Sequence, residues 1–231
     1  FSSTVKKIPL KESEHFAVSI AALEEVLKSK PDIVFLCNPN NPTGHYMDST
    51  VLELFRKHSE TLFVLDEAYI DFVEQPWLSL KSLRSENVII LRSFTKSLGL
   101  AGLRLGYLVA PKKIIRLLDH LKVPWNVNYP AACIGNYIIK NPDIFKNETK
   151  LYIEGKNLLF NYFKESYFAI PSQTNYFLLK VKDSKLLYQS FFENNILIRE
   201  CSSFGLKNFV RINSRKVHDC EKFLKVFEKI S

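Results

Sequence analysis

No apolar run in these 231 residues reaches the length of a membrane span. The start, Phe1-Ser2-Ser3-Thr4-Val5-Lys6-Lys7, lacks the apolar core of a signal peptide. Cysteine is sparse, and Cys37, Cys133, Cys201 and Cys220 have neither metal nor redox spacing, so reduced thiols in a cytoplasmic protein are expected and no metal site is. There is no internal repeat and no low-complexity linker. The net charge of +8 is not gathered into a basic block. Acids are interspersed among the basic residues, which argues against nucleic acid as the partner and for a field that favours small anions. What remains is ordinary globular composition, 46% hydrophobic and 24% charged, long enough for one large core or two modest domains.

Helix and strand signals alternate, which predicts an α/β fold. Helices are expected over 19–29, 49–58 and 111–121, with Pro111 in the favoured first-turn position. Strands are expected over 32–37, 61–65, 87–91 and 105–110. These strands are apolar throughout, which suits a parallel sheet covered on both faces. Beyond Trp125 the pattern changes. Helices at 130–140, 143–163, 184–194 and 216–230 alternate with short strands at 168–170, 176–181, 196–199 and 209–213. A large domain over 1–149 and a smaller α/β domain over 150–231 are expected.

Three loops follow three apolar strands. They are Asn38-Pro39-Asn40-Asn41-Pro42-Thr43-Gly44, Asp66-Glu67-Ala68-Tyr69, and Ser93-Phe94-Thr95-Lys96 leading on to Arg104. In open α/β sheets, ligands bind outside the carboxyl ends of the strands, so the loops are expected to converge. A lysine partly desolvated at a strand end is nucleophilic and suits Schiff-base chemistry, which makes Lys96 the candidate catalytic residue. Ser93, Thr95 and Arg104 are the groups a phosphate needs. Asp66 can keep a pyridine nitrogen protonated, and Asn41 and Tyr69 can hydrogen-bond a phenolic oxygen. Together these point to pyridoxal 5'-phosphate. Taken singly, each has an ordinary alternative as a cap, a turn or a surface lysine.

In these three motifs the chain resembles the fold type I pyridoxal-phosphate enzymes of the aminotransferase class I and II group. The resemblance extends from about Pro31 to the C-terminus. It implies that Lys96 bonds the cofactor aldehyde, that Asp66 pairs with the ring nitrogen, and that Asn41 and Tyr69 contact the ring hydroxyl. It also implies phosphate contacts from Ser93, Thr95 and Arg104, and a homodimer. Two subgroups fit, histidinol-phosphate aminotransferase and threonine-phosphate decarboxylase. The segments Val123-Pro124-Trp125-Asn126-Val127-Asn128 and Ile196 to Ile212 resemble the decarboxylases more; Asn175 fits both. By family pattern Arg211 takes a substrate carboxylate and Arg199 a substrate phosphate; surface salt bridges are the alternative for both. Trp125 is read either as core or as part of the site. Decarboxylation of an O-phospho-amino acid is therefore the first expectation and transamination of the histidinol-phosphate type the second; a non-catalytic protein keeping the fold is the third. The family has a longer N-terminal part, with a cofactor-phosphate turn and a ring-stacking aromatic that are not recognisable here, so a truncated form is expected.

Overall fold

A computed structural model of the chain describes residues 4–76, 85–143 and 146–230, the side chains of 146 and 147 excepted. The first three residues of the leader reading, and 144–145 of the helix expected over 143–163, lie outside the described residues.

The first half builds α1 (Ile20–Leu27), β1 (Ile33–Cys37), α2 (Val51–Lys57), β2 (Leu62–Asp66), β3 (Val88–Ser93), β4 (Gly106–Val109), α3 (Lys112–Leu121) and α4 (Tyr129–Lys140). Polar side chains start the helices where the sequence supplies them. Ser19 accepts from the Ala22 N–H at 3.3 Å, and Asn128 from the Ala131 N–H at 2.9 Å. The sheet order is β1-β2-β3-β4. β1, β2 and β3 are parallel and β4 runs antiparallel to β3, so the sheet is mainly parallel with an antiparallel edge. A 3-10 turn at Ala101–Leu103 reverses the chain directly after the Lys96 loop, so no helical crossover intervenes.

Register decides which side chains share a face. Val34, Leu36, Phe63, Leu65, Val88 and Ile90 form one face, packed under Leu23 and Leu27 of α1 and Val51, Leu54 and Phe55 of α2. The other face carries Ile33 and Phe35, then Leu62 and Val64, then Leu91 and Leu108. It is open at β1, where Ile33 is 59% exposed and Phe35 60%, and closes toward β3, where Ile89, level with Val64, is 7% exposed. The expectation of a sheet covered on both faces is therefore not met among the described residues.

The second half builds α5 (Lys146–Lys164), β5 (Ala169–Ile170), β6 (Tyr176–Lys180), α6 (Ser184–Glu193), β7 (Arg199–Glu200), β8 (Phe209–Asn213) and α7 (Val217–Ile230). Its sheet, ordered β5-β6-β8-β7, is antiparallel throughout. One face packs on α5, α6 and α7 through an aromatic core. There Phe163 meets Phe227 edge-on at 4.8 Å and Phe191 stacks on Phe223 at 4.5 Å. Trp125 is not core; it is 96% exposed, in a left-handed backbone conformation between α3 and α4. Among the described residues no helix is long and apolar enough to cross a membrane, and no cluster of His, Cys, Asp and Glu could hold a metal.

Candidate active site

The site lies at the carboxyl ends of β1, β2 and β3, on the margin of the open face. Cys37 and Asp66 stand in register there. The ladder continues past the strands: the Asn38 N–H donates to the Asp66 carbonyl at 2.8 Å and the Glu67 N–H to the Leu91 carbonyl at 2.9 Å. These bonds hold the loop starts side by side. Asp66 Oδ1 accepts from the Ala68 N–H at 3.0 Å, so its side chain fixes the turn that follows it. Beyond β3, the Ser93 and Thr95 hydroxyls meet at 2.7 Å, and Ser93 Oγ also accepts from the Thr95 N–H. Lys96 Nζ lies 5.5 Å from the centre of the Tyr69 ring. Lys96 is exposed, not desolvated as its strand-end position suggests.

The second sheet contributes Arg211 from β8. Its Nη1 donates to Asn41 Oδ1 at 2.5 Å and its Nε to Asn213 Oδ1 at 3.2 Å. Its guanidinium lies 4.8 Å above the Tyr176 ring. Tyr176 is fully buried, meets Tyr69 edge-on at 4.9 Å, and donates its hydroxyl to the Asn40 carbonyl at 3.0 Å. Lys96, Tyr69, Tyr176, Arg211 and Asn41 thus form one contiguous row joining both sheets. The Asn38 to Gly44 loop, which contains two cis-prolines, is gripped further by Gln173, whose N–H donates to the Gly44 carbonyl at 3.0 Å.

Three other predicted residues stand apart from this row. Arg104 is exposed and donates to the Ala101 carbonyl at 3.2 Å. Arg199 is level with Arg211 in the β7–β8 pairing, but its Nη2 donates to Ser203 Oγ at 2.9 Å and its guanidinium covers Phe204. Asn175 binds through its backbone: its carbonyl accepts from the N–H and hydroxyl of Ser214, both at 2.8 Å. Its side-chain Oδ1 is buried without a hydrogen-bond partner among the described residues.

Two residues had no predicted role. Glu67 points to the opposite sheet face, as alternation from Asp66 requires, and pairs with Arg92 at 2.8 Å. That pair borders a largely apolar cavity of about 660 Å³ behind the Lys96 loop, lined also by Phe94, Leu98, Tyr107 and Ile138. Tyr176 was visible only as the first residue of a strand. Burial pushes the Cys37 thiol up to about 11, and the Asp66 carboxylate beside it acts in the same sense.

A carboxylate, a primary amine, an amide, a phenol and paired hydroxyls at three strand ends are the donors and acceptors that a pyridine nitrogen, an aldehyde, a ring oxygen and a phosphate require. The residues present therefore fit pyridoxal phosphate. The family model for aminotransferase class I and II matches residues 2–228. The chain belongs to this family, a group of pyridoxal-phosphate enzymes with the fold type I architecture. It is 34% identical over 226 residues to a histidinol-phosphate aminotransferase of Hydrogenobaculum, covering 94% of this chain and 62% of that protein. A histidinol-phosphate aminotransferase of Methanocaldococcus jannaschii is 30% identical, covering 99% of this chain and 63% of its own. Among solved structures, the L-threonine-O-3-phosphate decarboxylase of Porphyromonas gingivalis superposes with a TM-score of 0.79 at 28% identity, covering 92% of this chain and 75% of that one. The chain thus spans about three fifths of the length of these curated relatives.

Proposed function

We propose that the row Lys96–Tyr69–Tyr176–Arg211–Asn41 is the working half of a pyridoxal-phosphate site acting on a phosphorylated amino compound. What carries this reading is that the candidate anion grip, Arg211, comes from the second sheet and bonds Asn41 in a loop of the first. When bound, the cofactor stabilises negative charge at the substrate α-carbon. Asp66 holds a proton at the ring nitrogen. Asn41 offers its amide N–H to the ring oxygen while its Oδ1 is held by Arg211, and Tyr69 offers its hydroxyl. Ser93 and Thr95 bind the phosphate, joined by Arg104 once it leaves the Ala101 carbonyl. Lys96 anchors the aldehyde and moves the proton at the α-carbon. Arg211 holds the carboxylate of an O-phospho-amino acid or, in the transamination reading, that of glutamate, since histidinol phosphate itself has none; Arg199, level with it, takes the substrate phosphate, and Asn175 supports this end of the pocket.

The anion grips would set how the substrate is turned in the site, and that orientation would decide which bond at the α-carbon breaks. Identity to curated aminotransferases over nearly the whole chain favours transamination of the histidinol-phosphate type. The decarboxylase of Porphyromonas gingivalis and the segments around Val123 to Asn128 and Ile196 to Ile212 favour decarboxylation of an O-phospho-amino acid as the second reading. Division near residue 150, a cytoplasmic homodimer and a small anionic substrate, rather than nucleic acid or membrane, complete the proposal. The chain with pyridoxal phosphate should be offered histidinol phosphate and threonine phosphate, each with and without 2-oxoglutarate. Glutamate formed only with the keto acid supports transamination. Carbon dioxide released from threonine phosphate without it supports decarboxylation. A Schiff-base absorption band that is the same in wild type and Lys96→Ala would overturn the assignment of the lysine.

A further inference from the structure

Tyr176 makes more contacts to the site than any role assigned so far requires. It opens β6, and its side chain is fully buried. One face of its ring carries the Arg211 guanidinium at 4.8 Å. The Tyr69 ring meets it edge-on at 4.9 Å, and Tyr69 in turn lies under Lys96 Nζ. Its hydroxyl reaches across to the first half of the chain and donates to the Asn40 carbonyl at 3.0 Å. That carbonyl also accepts from the Gly44 N–H at 2.7 Å, so the phenol reinforces the bond that closes the loop.

We infer that Tyr176 is a positioning residue that sets the plane of Arg211 and the seat of Tyr69 together and fastens the Asn38 to Gly44 loop to the second sheet. The inference rests on the proposed reading of Arg211 as the carboxylate grip. A guanidinium is planar, with two faces and five N–H donors in its plane. The Tyr176 ring covers one face, and the bonds to Asn41 and Asn213 fix the rotation of the group in its plane. The direction offered to a carboxylate is then settled before substrate arrives, which reduces the ordering cost of binding. The ring and the hydroxyl do separate work. The ring orients Arg211 and Tyr69; the hydroxyl holds the loop that carries Asn41.

The test uses the 231-residue chain with 15N-arginine labelling, Arg211 being assigned by its loss in Arg211→Lys. Maleate serves as the carboxylate probe, followed by the same signals. In the wild type the Arg211 Nε–H should be resolved, with slow rotation of the guanidinium. Tyr176→Phe should keep that signal and the maleate affinity within about twofold, but speed amide exchange across Asn40 to Gly44, because only a bond to the loop is lost. Tyr176→Leu should broaden the Arg211 signal and weaken maleate about tenfold, the size of a desolvated cation–π contact. Tyr176→Met replaces it if the leucine variant does not fold. A ring-less variant that melts cooperatively at lower temperature yet keeps the Arg211 signal and the maleate affinity would overturn the inference, reducing Tyr176 to core packing. Unchanged loop exchange in Tyr176→Phe would overturn the role of the hydroxyl. If Arg211→Lys leaves maleate affinity intact, the carboxylate reading of Arg211 fails instead, and the guanidinium signal in the ring-less variant still decides the case for Tyr176.

Discussion

Cys37 ends β1 level with Asp66, donates its thiol to the Pro39 carbonyl at 3.3 Å, and is pushed up to about 11 by burial. An unfolded chain ionises this thiol near 9, its ordinary value, whereas the folded chain keeps it neutral to about 11. Its contribution to stability is therefore complete below pH 9 and is lost as the pH rises toward 11. Denaturant melts of Cys37→Ala should show a shallower alkaline decline than wild type across that window; superimposable declines would contradict it. Burial also orders thiol reactivity. Iodoacetamide at neutral pH should label the exposed Cys133 first and reach Cys201 and Cys220 only on unfolding, as peptide mapping would reveal. At Lys96, replacement by alanine should abolish the Schiff-base absorption band that forms when pyridoxal phosphate is added, leaving the spectrum of the free aldehyde, since the remaining groups only hydrogen-bond it. Asp66→Asn should keep cofactor binding but slow turnover sharply, because an amide does not hold the ring proton; equal turnover would argue against Asp66 as the nitrogen's partner.

Two elements meet closely enough that a single methyl group tests their packing. A Cβ on Gly155 of α5 would lie 2.0 Å from the Arg215 carbonyl, just ahead of α7. Backbone cannot swing aside as a side chain does. Gly155→Ala should therefore cost about 1–3 kcal/mol by overpacking and separate α5 from α7, read as a lower denaturation midpoint. Gly44 is at φ +74° with Ser172 where a Cβ would go. Gly44→Ala should loosen the loop from the second sheet and weaken carboxylate binding more than it lowers stability. The elements themselves were largely legible. Apolar runs at 32–37, 61–65 and 87–91 became β1, β2 and β3, their alternate residues filling the core under α1 and α2. The direction of β4 was not legible. Four residues of Gly106 to Val109 read alike whether paired parallel or antiparallel, and the turn at Ala101–Leu103 decided it.

At the scale of the whole molecule, one face of the first sheet is buried and the other is exposed along β1. Ile33 and Phe35, on the outermost strand among the described residues, stand beside the half-buried Leu62 and Val64 on that face. An apolar patch on an unpaired edge strand favours association. Light scattering of the chain should rise with concentration, and the double variant Ile33→Lys, Phe35→Lys should suppress this with little change in stability, because neither side chain is in the core. Motif order alone determined the family and marked Asp66, Lys96 and Asn41 as its candidate site residues, because the chemistry of the cofactor admits few residue types and the loops announce themselves after apolar strands. Tertiary structure decided the rest. Arg211 stacks over Tyr176 and reaches Asn41, 170 residues away in the chain, whereas Arg199, level with it on the next strand, turns out to Ser203. Residue type is the same in both arginines. Only the packing of one sheet against the loops of the other supplies an aromatic face and an acceptor to one and leaves its neighbour to solvent.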